Sequence, residues 1–329
     1  MSAIRPVVYH NLTTTPAHIP PSRICRTSMR IVLFDIPRKE GPGGRFRSFS
    51  PNTFKTRRVF RPDLWKFGDV LNQPPRFALQ YKGIPFSTEW IEFPDIEPKL
   101  KAYGVPPNDP SLAAMPYTLP ALAIYEANPD GKEELKEVIM ESSRIAAFLD
   151  DRYQSRKLIR GSPASQEAQR EFIKMINTIL YPSLLPLFAL SVVAHLSSQS
   201  AKYYRSKREA RFGCKLEDLV ASTEIIGKQW AAMDAAFDRL AAFLDESAAG
   251  GEAVLEVAET DDIGGQTTKT EPTYAALILA ATFVAIEEVA VPGTWERIRM
   301  RNGGRWRGVR ASCEPYAYRT HSRIYMATL

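Results

Sequence analysis

Apolar positions along the chain fall into two regimes, with short strand-like runs first and helical spacing from about residue 162 onward. Ile31-Val32-Leu33-Phe34-Asp35 is a short apolar run of strand type. Ser50-Pro51-Asn52 reads as a helix start, with Ser50 as N-cap and Pro51 at the first helical position. Further strands are expected over residues 87–93, after the Lys82-Gly83 turn, over 117–124 with Pro120 near its head, and over 137–140. A helix follows from Ser142, with Ile145, Phe148 and Leu149 on one face. Beyond residue 162 the pattern predicts helices over 164–180, 201–212, 216–245 and 273–289. The spacing of Trp230, Met233, Phe237, Leu240 and Leu244 is the core stripe of a bundle. Residues 247–271, rich in Gly, Ala and Thr, read as a loop. The organisation expected is a tail over 1–28, an α/β domain over 29–156, an all-helical domain over 162–315 and a tail over 316–329.

Composition narrows the function classes. With 44% hydrophobic and 24% charged residues in 329, the chain has the make-up of a two-domain globular protein. Cys25, Cys214 and Cys313 are far apart and form no CxxC pair, which argues against a disulfide framework or a thiolate zinc site and suits a reducing, cytoplasmic setting. His10, His18, His195 and His321 give no metal-ligand spacing, so no metal is expected. The net charge of +6 is concentrated late: eight arginines fall between Arg297 and Arg323. No nucleic-acid motif accompanies them, and they read as a solvated terminal segment rather than a phosphate-binding arm. The first 28 residues hold three arginines and no acid, but four prolines spoil an amphipathic helix, so a disordered tail is expected rather than a mitochondrial transit segment. Apolar stretches over 179–196, broken by Pro182 and Pro186, and over 275–286 read as buried helices and not membrane spans.

Several motifs together resemble one family. They are the run Ser50-Pro51-Asn52-Thr53-Phe54-Lys55-Thr56-Arg57, Tyr81-Lys82-Gly83-Ile84-Pro85, Glu89-Trp90-Ile91-Glu92-Phe93-Pro94-Asp95-Ile96, the pair Leu119-Pro120, and Glu141-Ser142 twenty-one residues after Pro120. With Arg208-Glu209-Ala210-Arg211-Phe212-Gly213 and Asn302-Gly303-Gly304-Arg305-Trp306, they resemble the glutathione transferases, in particular the fungal etherase-like branch called FuA. The resemblance implies a thioredoxin-like glutathione-binding domain over 29–156, an all-α domain over 162–315, glutathione as co-substrate, a role in detoxification, and allows a homodimer. It also implies site roles. Ser50 would activate the glutathione thiol from a helix N-terminus, with Asn52 assisting through its amide. Pro120 would be the cis-proline of the fold, with Leu119 before it and Ala121 offering N–H and C=O to the peptide part of glutathione. Ser142 would receive the γ-glutamyl carboxylate and Glu141 its ammonium group.

Two features depart from the family pattern. At the start of the helix over 273–289, Ala276 stands where an acid usually closes a capping box, which leaves a vacancy an acid is expected to fill favourably. Residues 58–76, with Pro62, Gly68, Pro74 and Pro75, interrupt the first helix, which is expected to restart only after Pro75. The segment reads as translated intron sequence or as a lineage-specific loop. The function expected is glutathione transfer to a hydrophobic electrophile, or aryl-ether cleavage by thiolate attack, in a cleft between the domains. The other readings are a ligandin that carries aromatic ligands without turnover and an inactive member with a broken first helix.

Overall fold

The structure is a computed structural model that describes residues 29–37, 39, 74–110, 115–256 and 271–317. Ser50, Asn52 and the segment over residues 58–73 lie outside the described residues. The first half builds a four-stranded mixed sheet in the order β2-β1-β3-β4, from β1 (Met29–Asp35), β2 (Ser87–Trp90), β3 (Ala121–Ala127) and β4 (Glu133–Met140). β1 pairs parallel with β2, in register Val32 to Ser87, and antiparallel with β3, in register Phe34 to Ala121. β3 and β4 form an antiparallel hairpin. With α1 (Pro74–Lys82), α2 (Ile96–Ala102) and α3 (Ser142–Arg152), this is the thioredoxin-like arrangement.

The strand limits differ from the sequence pattern for local reasons. β3 begins at Ala121 rather than Tyr117 because Pro120 has no N–H to donate to a ladder. β4 starts earlier than its apolar end suggests, since its exposed first half, Glu133 to Glu137, is held by backbone pairing to β3. β2 stops at Trp90, and a 3₁₀ turn over Phe93–Asp95 replaces the expected continuation.

The described elements of the second half are helical: α4 (Pro163–Met175), α5 (Tyr181–Ala194), α6 (Ser198–Phe212), α7 (Thr223–Ala249), α8 (Tyr274–Val289), α9 (Thr294–Arg299) and α10 (Arg305–Ala317). A π turn over Ile176–Leu180 joins α4 to α5 in one rod. By length and composition Pro163–Ala194 is apolar enough to cross a membrane. Here Leu184, Leu185, Leu187, Phe188, Ala189 and Val192 are buried in the helical core instead. α8 is the centre of that core, and nearly all its residues are buried. Phe237 of α7 meets Phe283 of α8 at 6.1 Å and Trp306 of α10 at 5.1 Å between ring centroids.

Four of the late arginines, Arg297, Arg301, Arg305 and Arg310, are held in ion pairs rather than lying free in a solvated segment. Arg297 pairs with Asp234, Arg301 with Asp234 and Asp238, Arg305 with Asp245, and Arg310 with Glu287. Asp234, Asp238 and Asp245 lie along α7, so the arginines dock α9 and α10 onto it. Between Arg305 and Arg310 around α10 runs a stripe of Trp306, Val309, Cys313 and Tyr316, all buried, at helical spacing. α10 therefore continues two residues into the span expected to be a tail.

α1 starts at Pro74, earlier than expected, because proline is tolerated in the first turn, where its missing N–H would have no helical partner. All nine of its residues are buried, and the helix packs against α3, α8 and α10. Arg76 donates to Asp35 Oδ2 at 2.9 Å and to Thr88 Oγ1 at 3.2 Å, and Asp35 is fully buried at the end of β1. Burial holds the Asp35 carboxyl above its ordinary range despite the opposing pull of Arg76. Arg76 thus belongs to the packed structure, although it lies within the 58–76 interruption.

The vacancy at Ala276 is not one. In a capping box the acid accepts the N-cap backbone N–H; here Thr273 N–H already donates to the Leu255 carbonyl at 3.2 Å. The Thr273 hydroxyl donates to the Val254 carbonyl at 2.7 Å and accepts the Ala276 N–H at 3.4 Å. Ala276 itself has 0% exposure. The expectation that an acid would stabilise this helix start is therefore reversed.

Two outcomes test this description. Ala276→Asp places a carboxylate without a free donor in the core and should destabilise the protein by roughly 1–3 kcal/mol. A lowered urea midpoint checks this; a raised one would restore the capping-box reading. Removing residues 58–76 sets Arg57 directly before Phe77, the position Arg76 now holds, so the pair with Asp35 can be remade. It also brings Phe54, Phe77 and Tyr81 to i, i+4 and i+8 on one helix face. Without the loop-closure cost, the shortened variant should melt roughly 2–6 °C higher. Calorimetry showing equal or greater stability for the full chain would mean that the segment contributes to the fold.

Candidate functional site

The most constrained backbone in the first domain surrounds one small pocket. Its walls are Leu119, Pro120 and Thr118 before β3, Glu141 and Ser142 at the start of α3, and Pro74 at the start of α1. The helical domain closes it with Asn177, Tyr181 and Ile278, and its volume is about 150 Å³. Leu119-Pro120 is a cis peptide, as the resemblance implied.

Glu141 has φ 79° and ψ 123°, a region that non-glycine residues rarely use. Such a conformation costs on the order of 1–3 kcal/mol and persists only where the surroundings enforce it. The Ile145 N–H donates to the Glu141 carbonyl at 2.9 Å, starting α3. The Thr118 hydroxyl donates to Glu141 Oε1 at 3.3 Å, and Asn108 Nδ2 donates to that hydroxyl at 3.2 Å. The Thr118 N–H is received by Met140 Sδ at 3.3 Å. This chain of contacts holds a carboxylate and the first turn of a helix side by side. Ser142 is the first residue of α3, so its hydroxyl and the unpaired amides of that turn form a donor set for an anion. The N-cap residue Glu141 makes no capping hydrogen bond from its side chain to this helix start.

The helical domain contributes more than a wall. The buried Tyr274 hydroxyl, at the start of α8, donates to the Ser142 carbonyl at 2.9 Å. Burial pushes the Tyr274 phenol well up, so it stays a neutral donor. Tyr181 bonds Thr282 Oγ1 at 3.2 Å and is itself kept neutral by burial.

Of the residues singled out in the sequence, Leu119, Pro120, Glu141 and Ser142 meet at this pocket. Ala121 does not. It has 0% exposure and lies in the sheet between Phe34 and Met140, because β3 is a central strand with ladders on both edges. Leu119, ahead of that ladder, is the residue that faces the pocket. Ser50 and Asn52 lie outside the described residues. Sequence reading missed Thr118, Tyr181, Tyr274 and Ile278. The helical spacing of Tyr274 and Ile278 signalled burial, and nothing in it marked which domain they would meet.

Comparison with known proteins adds an independent line. The N-terminal domain of glutathione S-transferase matches residues 73–152, and the C-terminal domain of glutathione S-transferase matches residues 168–316. The N-terminal match begins after Ser50 and Asn52. The fold is similar to a glutathione S-transferase of Ceriporiopsis subvermispora, CsGST63524, solved in complex with glutathione. That protein is 25% identical, with a TM-score of 0.64 over 89% of this chain and 100% of that one. It is also similar to glutathione transferase GSTFuA2 from Phanerochaete chrysosporium, 26% identical with a TM-score of 0.62 over 89% of this chain and 100% of the other. Among curated proteins, the glutathione S-transferase-like protein ustS of Aspergillus flavus is 30% identical over 155 residues, 45% of this chain. The aligned stretch spans about half (52%) of that relative's length.

Tyr274→Phe removes the bond that pins Ser142 from the helical domain and should cost about 0.5–1.5 kcal/mol of stability. Hydrogen exchange of the amides at the start of α3 should quicken in the variant; unchanged exchange there would show that the contact does not hold the turn.

Proposed function

The chain belongs to the glutathione S-transferase family, and on that premise we propose that it binds glutathione at the pocket of Leu119, Pro120, Glu141 and Ser142 and activates its thiol. The observation that carries this reading is the juxtaposition of Glu141 and the open first turn of α3. An α-amino acid end carries an ammonium and a carboxylate a few bonds apart. Glu141 offers the charge for the first, and the Ser142 hydroxyl with the helix N-terminus offers donors for the second. A volume of about 150 Å³ suits the γ-glutamyl group rather than a whole tripeptide. The remaining cysteinyl and glycyl portions would run past Leu119.

The thiol of glutathione must lose its proton to be an efficient nucleophile near neutral pH. By resemblance, Ser50 would stabilise the thiolate through its hydroxyl, with Asn52 assisting through its amide. The thiolate then attacks the carbon of a hydrophobic electrophile or an aryl ether. A C–S bond forms as halide or aryloxide leaves, and the thiol proton passes to solvent.

Titration calorimetry tests binding: Ser142→Ala should weaken glutathione affinity by roughly 5- to 100-fold, the loss expected for a hydrogen bond to a charged group. Ser50→Ala should leave affinity nearly intact while raising the pKa of bound thiol, read as thiolate absorbance against pH. Unchanged glutathione affinity in Ser142→Ala removes the binding reading. Binding without turnover of a chloronitrobenzene or an aryl-ether probe favours a ligandin instead.

A further inference from the structure

A second, larger cleft of about 310 Å³ opens beside the first, and the two share Thr118 and Leu119. Its floor is apolar, with Ile36 at the end of β1, Phe93 and Ile96. Its roof is α6, which presents Tyr203 and Tyr204 to the cleft, then Lys207, Arg208 and Arg211. Phe93 stacks on Tyr203 with ring centroids 6.3 Å apart and 15° between planes, and lies 5.6 Å from Tyr204. The roof is held in place. Ser197 and Ser200 both donate to Glu92, and the Phe93 N–H donates to Ser200 Oγ at 2.9 Å.

The charge pattern on α6 is uneven. Arg205 is neutralised by Glu209 at 2.8 Å and Glu217 at 2.9 Å. Among the described residues no acid pairs with Lys207, Arg208 or Arg211, the three cations at the cleft. Lys207 lies over the Tyr203 ring at 5.5 Å and Arg208 over the Tyr204 ring at 5.1 Å, so both are drawn toward the aromatic wall. The acid that lines the cleft, Glu97, is bonded to Lys101 at 2.6 Å. An apolar chamber with stacked rings and three cations that no described acid pairs complements one kind of ligand, an aromatic ring bearing an anionic group.

We infer that this cleft binds an aromatic carboxylate, its ring among Phe93, Tyr203 and Tyr204 and its charge at Lys207, Arg208 and Arg211. That this ligand is the second substrate or cargo beside glutathione rests on the proposed glutathione reading; the binding itself does not.

Titration of the full chain with 2-naphthoate and its neutral analogue 2-naphthamide, without glutathione, separates charge from shape. The carboxylate should bind about tenfold more tightly than the amide at low salt, with the preference shrinking as salt screens the cations, of which Lys207 and Arg211 are exposed and Arg208 half-buried. In Lys207→Gln/Arg208→Gln/Arg211→Gln the preference should vanish while amide affinity is kept. The single Arg211→Gln, at an exposed position, should lose about two- to fivefold. Equal affinity for acid and amide in the parent, or a preference that survives the triple substitution, overturns the inference. If the carboxylate preference holds while Ser142→Ala leaves glutathione affinity unchanged, the cleft stands and the glutathione reading falls.

Discussion

Every residue of α1 is buried, and the placement of the candidate site depends on how that helix is fixed at both ends. At its start Arg76 reaches the buried Asp35. At its end the Lys82 ammonium, fully enclosed, donates to the Tyr153 carbonyl at 2.8 Å and the Ser155 carbonyl at 3.2 Å, and pairs with Asp150 at 2.8 Å. A buried ammonium is costly unless its donors are matched, and here three acceptors match three protons. Asp150 also receives the Leu158 and Ile159 N–H groups, so one cluster joins α1, α3 and the connection between the domains. Tyr81 extends it. Its hydroxyl bonds Glu271, Arg156 donates to its carbonyl at 2.6 Å, and its ring meets Tyr316 edge-on at 5.2 Å.

This anchoring explains why the pocket draws its walls from both domains. α3 is fixed at its C-terminal end through Asp150 and at its N-terminal end through Tyr274, which belongs to the helical core. Glu141 can then be held at positive φ, and the open turn at Ser142 faces a pocket whose far wall is Tyr181 and Ile278. A thioredoxin-like sheet alone would lack that wall. The same docking brings α6 over the neighbouring cleft through Glu92, so the chemistry of both chambers is set by inter-domain contacts.

What was legible in the sequence was what local physics controls. The apolar run at β1, the proline before β3, the helix start at Ser142, the core stripe of α7 and the span of α8 appear where the pattern places them. α7 itself begins at Thr223 rather than 216, behind a separate 3₁₀ turn over Leu216–Val220. What was not legible was decided by distant partners. Ala121 is taken out of the site by ladders to Phe34 and Met140. Ala276 needs no acid because the Leu255 carbonyl serves Thr273. The late arginines read as solvated charge because their partners on α7 lie some sixty residues earlier, while the buried face of Trp306, Val309, Cys313 and Tyr316 was hidden among them.

The central claim, that Glu141 and Ser142 form the glutathione-binding end of this protein, is tested most directly by a crystal structure of the full chain grown with glutathione. The expected density places the γ-glutamyl carboxylate within hydrogen-bond distance of the Ser142 hydroxyl and the first amides of α3, with the ammonium on Glu141 and the tripeptide running past Leu119. Glutathione seated elsewhere, with no density against Ser142 at a saturating concentration, would contradict it.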